Sequence, residues 1–152
     1  MSVQDLARRV ETATACRRAW DGRAVAWGQA DCVRLARWVL RANGQTVPML
    51  KLGGYRTEAG AVRALRRTGF ASLAEACDAA LREQGVERIP PASVLPGDVV
   101  ALVGPEPWGA ALCVTLGQGW LLGVVGDRFA VFQPAARADA FVGAWRIDPC
   151  RR

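Results

Sequence analysis

The chain contains no histidine, one lysine (Lys51), one asparagine and no long apolar run. Without an imidazole it lacks the group that normally holds a cysteine nucleophile as a thiolate and protonates the leaving group. The longest apolar stretches, "VVALVG" and "WLLGVVG", fall far short of the roughly 18 to 20 residues that cross a bilayer, so no membrane span is expected. The first twenty residues carry charges throughout and have no uninterrupted apolar segment, which excludes a secretory signal and predicts a cytoplasmic start. The five cysteines (Cys16, Cys32, Cys77, Cys113 and Cys150) are odd in number and include no short-range pair. Zinc and iron–sulfur clusters are thereby excluded, and reduced, mostly buried thiols with no metal and no cofactor are expected.

What is present is globular: 152 residues, 51% hydrophobic and 22% charged, a length that buries roughly two thirds of its unfolded surface. No repeat or low-complexity linker interrupts it, so residues 1–152 are read as one domain. The net charge of +6 is almost entirely arginine. An arginine- and alanine-rich composition points to a GC-rich genome rather than to a function. The pairs Arg8-Arg9, Arg17-Arg18, Arg66-Arg67 and Arg151-Arg152 are scattered, with no interleaved aromatics to stack bases, so no nucleic-acid partner is expected.

The first half reads as helices. Val3, Leu6, Val10 and Ala13 recur at helical spacing over 3–19, with the arginines largely off that stripe. A second helix is predicted over 31–43, stopped by Asn-Gly, with Cys32, Leu35, Ala36, Val39 and Leu40 as its apolar face. Residues 44–56 form an irregular connection. Thr57 caps a third helix in "TEAGAVRALRRTG", and Ser72 with Glu75 forms a capping box for a fourth in "SLAEACDAALREQG". From "IPPASVLPGDVV" onward the residue types change to strand formers, giving candidate strands at 98–103, 110–116, 120–124, 128–133 and 143–147. Short "LGQGW" and "VGDRF" junctions predict an antiparallel meander with the helices on one face, an α+β domain.

Cys32 opens the second helix, where the helix N-terminus lowers a thiol pKa and the adjacent Asp31 raises it. The order "WGQADCVRLARWVL", "PGDVVALVG", "ALCVTLGQGWLLG" resembles the NlpC-type cell-wall peptidases of papain-like fold over about residues 20–130. That resemblance implies a helical N-terminal half packed on a small antiparallel sheet. It puts Asp31-Cys32 at the nucleophile position and Pro96-Gly97-Asp98 at the strand opening. Val33-Arg34 stands where Ser-Gly is expected, Ala111 falls at the catalytic His, and Gly123 falls near the third polar residue. The segments "WGQADC", "GGYRTEAGAVRALRR", "PGDVV" and "AWRI" are also similar to a group of short NlpC-like proteins from tail-assembly gene clusters of phages and prophages.

Cys32 therefore reads as the remnant of a nucleophile, since an unassisted thiol of pKa about 8.5 is mostly protonated at neutral pH. Asp98 reads as a turn residue, Cys113 as core and Cys150 as exposed. Arg34, Arg37, Trp38 and Arg41 make an arginine–tryptophan patch off the apolar face of the second helix, and Trp108 lies in a Pro- and Gly-rich turn. These five are the candidate contact residues. The resemblance implies a non-catalytic component of a phage or prophage tail tip or baseplate that binds other tail proteins, made in the bacterial host cytoplasm and then carried in the virion tail. The alternative is a cysteine amidohydrolase or peptidoglycan peptidase with Cys32 as nucleophile and an unusual base such as Asp31 or Asp98, or a residue supplied by a partner.

Overall fold

A computed structural model of the chain describes residues 1–45, 54–134 and 140–149. Four α-helices are present among them: α1 (Val3–Trp20), α2 (Cys32–Ala42), α3 (Glu58–Arg67) and α4 (Leu73–Glu83). Each begins at a side-chain oxygen that accepts a free backbone N–H of the first turn, from Ser2, Asp31, Thr57 and Ser72 respectively, the usual remedy for the unpaired donors of a helix start. Ser2 and Asp5 close a reciprocal capping box. At α4, Ser72 accepts from the Glu75 N–H, but the Glu75 carboxylate reaches past it to the Ala71 N–H at 2.8 Å.

The buried face of α1 differs from the one its apolar spacing predicts. Arg9, Ala13, Cys16 and Trp20 point inward, whereas Val3 is 86% exposed and Leu6 and Val10 are about half exposed. The Arg9 guanidinium pairs with the buried carboxylate of Asp98 in the interior, and Cys16 and the large ring of Trp20 continue the same stripe, so this face and not the one carrying Val3, Leu6 and Val10 turns to the core. In α2 the buried residues are Val33, Leu35, Ala36, Val39 and Leu40, and Cys32 is half-buried.

The five strands are β1 (Val99–Val103), β2 (Ala110–Gly117), β3 (Trp120–Val125), β4 (Arg128–Phe132) and β5 (Phe141–Trp145). They form one antiparallel sheet in the order β4-β3-β2-β1-β5. Two-residue turns at Gln118-Gly119 and Gly126-Asp127 join β2 to β3 and β3 to β4. The meander covers four strands. β5 returns to the free edge of β1 instead of extending past β4, and it begins at residue 141 rather than 143.

Strand alternation divides the core in two. Val99, Ala101, Ala110, Leu112, Val114, Leu122 and Trp145 face the helices and pack with Leu35, Val39, Leu65 and Leu81. Val100, Cys113, Leu121 and Ala144 form a smaller cluster on the opposite face, covered by Ile89, Val94, Leu102, Phe132 and Phe141. No helix among the described residues is long and apolar enough to cross a membrane. The connection predicted at 44–56 falls mostly, and Cys150 entirely, outside the described residues.

Candidate functional site: the Asp31-Cys32 corner

The chain enters α2 through a tight corner. Gly28 has φ +80°, and a Cβ there would sit 1.8 Å from the Tyr55 carbonyl oxygen, so only glycine lets the "WGQADC" segment press against Tyr55. Asp31 caps the helix with Oδ1 on the Arg34 N–H (3.0 Å). Its Oδ2 accepts from the Gly28 N–H (3.0 Å), the Tyr55 hydroxyl (2.9 Å) and Arg34 Nη1 (3.3 Å). Arg34 Nη1 also donates to the Tyr55 oxygen at 2.6 Å, and its guanidinium lies 4.8 Å from the Tyr55 ring centroid. Asp31, Arg34 and Tyr55 are thus one closed network with both carboxylate oxygens occupied.

Cys32 meets the sheet where it splits. β3 pairs with β2 only over residues 114–117, while residues 110–113 of β2 pair with β1 alone. The sulfur comes against the Leu112 backbone in that gap, and Cys77 and Cys113 lie close enough to feel its charge. Burial pushes the Cys32 thiol up to about 11, and the Asp31 carboxylate adds to the rise. Hydrogen bonding from the backbone of Leu112, Cys32 and Val33 pulls the other way and loses. At neutral pH the thiolate is about one part in ten thousand of the total. The helix N-terminus is insufficient to activate it.

Ala111 pairs with Leu102 on β1, on the same sheet face as Cys113. Alternation along β2 therefore turns Ala110 and Leu112, both apolar, toward the helices, and Ala111 away from them. Gly123 shares the face of Ala111, and a Cβ at Gly123 would lie 2.6 Å from Cys113 Sγ. The space beside Gly123 is filled by sulfur. Cys32 lies on the helical side and is not brought together with Ala111 or Gly123.

Asp98 is more than a turn residue. It is fully buried and accepts from Arg9 Nη1 (3.0 Å), Arg146 Nε (3.1 Å), and the backbone N–H groups of Leu95 (2.8 Å) and Ile147 (3.0 Å). Arg9 also pairs with Asp148. Asp98 is hydrogen-bonded to Thr115 on β2, three residues from Leu112 and so about 10 Å along the strand. It ties α1 to the one end of the sheet where β1 begins and β5 finishes, away from Cys32. Sequence reasoning missed this hub because Arg9 sits in an Arg-Arg pair that looks solvated.

The five contact candidates divide. Arg37 and Arg41 are exposed, Trp38 is half-buried against the core, and Arg34 is half-buried in the Asp31 network. Trp108 stacks on Trp27 at 5.7 Å between centroids and 14° between planes, while its carbonyl accepts from the Leu73 N–H at the start of α4. The stack links the segment before Asp31 to the turn before β2. Tyr55, the chain's single tyrosine, was visible in the sequence only as part of "GGYR". Among the described residues no group of three or more Cys, Asp or Glu is arranged to hold a metal ion.

The result is an α+β architecture in which a helix opening at an Asp–Cys pair abuts the central strand of an antiparallel sheet. The chain is similar to the structure of NlpC2 from Trichomonas vaginalis, with a TM-score of 0.57 and 14% identity, covering 92% of this chain and 47% of that one. The likeness is one of fold, and this chain spans about half the length of that protein. The chain belongs to the family described as domain of unknown function (DUF6950), whose model matches residues 2–147. No curated protein matches it.

Proposed function

We propose that this chain is a non-catalytic structural or assembly component of a phage or prophage tail, at the tail tip or baseplate. It uses a papain-like NlpC-type framework to bind neighbouring tail proteins, acting first in the host cytoplasm and then in the virion. The observation that carries the non-catalytic reading is the state of Cys32: its thiol is held up at about 11 in a chain without histidine. The two acids of this chain named as substitutes for the imidazole are engaged elsewhere, Asp31 with its cap and with Arg34 and Tyr55, Asp98 with Arg9 and Arg146. The similarity of "WGQADC", "GGYRTEAGAVRALRR", "PGDVV" and "AWRI" to proteins from tail-assembly gene clusters supports the setting.

The competing reading, a cysteine amidohydrolase, draws on the position of Cys32 at the first turn of α2, where the residue as a whole keeps some solvent contact although its thiol is desolvated. Mass spectrometry of purified virions and tail-assembly intermediates tests the proposal. The protein is expected at a fixed ratio to tail proteins, and its absence from both would overturn the reading.

A further inference from the structure

The outer side of α2 borders a cavity of about 450 Å³ lined by Trp20, Gln29, Arg34, Arg37, Trp38 and Arg41. Arg34, Arg37 and Arg41 recur at i, i+3 and i+7, so their guanidinium groups fall on one side of the helix over two turns. Asp31 compensates Arg34 through Nη1. Arg37 and Arg41 form no ion pair among the described residues and are exposed. Behind the wall, the Arg23 guanidinium lies 4.5 Å from the Trp20 ring centroid, adding to the positive field. The Trp20 Nε1 is buried with no hydrogen-bond partner, and a buried donor left unpaired is uncommon in a finished interior.

We infer that this cavity binds a carboxylate presented by an acidic segment of a protein partner. The fork of a guanidinium matches a carboxylate in two parallel hydrogen bonds. Trp38 supplies an apolar wall for the methylene groups that carry the acid, and tryptophan and arginine are both enriched among the residues that carry binding energy at protein interfaces. A nucleic-acid backbone fits less well. It needs a track of cations with faces for base stacking, whereas Arg66 and Arg67 stand on α3 and Arg9 is buried against Asp98. The inference rests on the reading that this chain works by contacting neighbours, and it assigns that contact a place and a charge.

The test is titration of the ¹⁵N-labelled full chain with a hexaglutamate peptide near physiological ionic strength, following the indole N–H resonances of Trp20 and Trp38. Inorganic phosphate and a single-stranded oligonucleotide serve as parallel arms. Saturable shifts at Trp20 and Trp38 are expected with the peptide. The double variant Arg37→Gln/Arg41→Gln should weaken it by at least about tenfold, given the strength of charge-assisted hydrogen bonds. The charge-matched control Arg66→Gln/Arg67→Gln, at the exposed end of α3, should leave binding within twofold or so of the parent, which separates a site from general attraction to a cationic chain. Equal loss in both variants, no shift at either tryptophan, or an oligonucleotide that binds more tightly than the peptide would each overturn the inference. A failed titration leaves the virion result untouched. Absence from virions with the titration intact would remove the tail setting and keep the site.

Discussion

Asp98 accepts four hydrogen bonds inside the protein, two from arginines and two from backbone N–H groups. Removing one partner of such a buried pair leaves the other charge without compensation and costs about 3–5 kcal/mol. Arg9→Met is therefore expected to lower the urea midpoint sharply, whereas Arg8→Met, at the exposed neighbour, is expected to stay within about 0.5 kcal/mol of the parent. Equal effects would refute the buried pair. Nothing local in "LARRV" distinguishes Arg9 from Arg8, because the selecting partner lies 89 positions away. Asp31 was more legible: a carboxylate immediately before an apolar-periodic run is a capping signal by itself. What the sequence could not show was that Tyr55 and Arg34 would close the remaining lone pairs.

The helices and hairpins follow from local chemistry, since caps, glycine stops and two-residue turns are all short-range signals. The orientation of α1 does not. Leu6→Gln and Val10→Gln are expected to change stability by less than about 0.5 kcal/mol each, while Trp20→Ala, which removes a buried ring packed edge-on to Phe129 at 4.9 Å, is expected to cost about 3–5 kcal/mol. The reverse ranking would restore the face that apolar spacing predicts. β2 and β3 make a related point, because their alternation assigns Ala111 and Gly123 to the Cys113 face, and a motif laid along a strand carries no information on which face it lands. Gly123→Ala is expected to destabilise by about 1–3 kcal/mol through overpacking against Cys113. Cys113→Ala in the same chain should recover part of that loss, seen as a coupling energy in a double-mutant cycle. The return of β5 to β1 was equally hidden, since both edges of the meander were open to it.

Across the whole molecule, reduced thiols buried in apolar surroundings give stability a pH dependence. Burial raises Cys16 and Cys113 to about 12 and Cys32 to about 11 from an ordinary value of 9.0, and pushes Cys77 up as well. Above pH 9 the folded chain thus holds protons that the unfolded chain has lost, so stability is full below about pH 9 and falls as the pH rises toward the folded values. Each fully buried thiol contributes up to about 1.4 kcal/mol per pH unit to that slope. The Tyr55 hydroxyl, pushed up by burial and by Asp31, adds to the same decline above about pH 10, so the thiol share is read from the difference between the parent and the cysteine variant. Urea midpoints between pH 8 and pH 11 should decline, and Cys16→Ala/Cys113→Ala should flatten the decline; a rise with pH would contradict the burial of these thiols.

The overall α+β plan was readable from residue types because the switch from capped helices to Val-, Leu- and Trp-rich strands is abrupt at residue 98. The state of the corner was readable only in part: the missing imidazole is a fact of composition, but the closed Asp31 network joins residues up to 24 positions apart, and the point at which β3 leaves β2 carries no sequence signal of its own. The decisive measurement is the pH–rate profile for iodoacetamide at Cys32 between pH 6 and pH 10, resolved from the other cysteines by peptide mass spectrometry. A thiol held near 11 predicts labelling at pH 7 about a hundredfold slower than a free thiol of ordinary pKa, rising with pH and showing no plateau in this range. A plateau setting in below about pH 8, with labelling at neutral pH as fast as a free thiol or faster, would mean that Cys32 is an activated nucleophile and that the non-catalytic account is wrong.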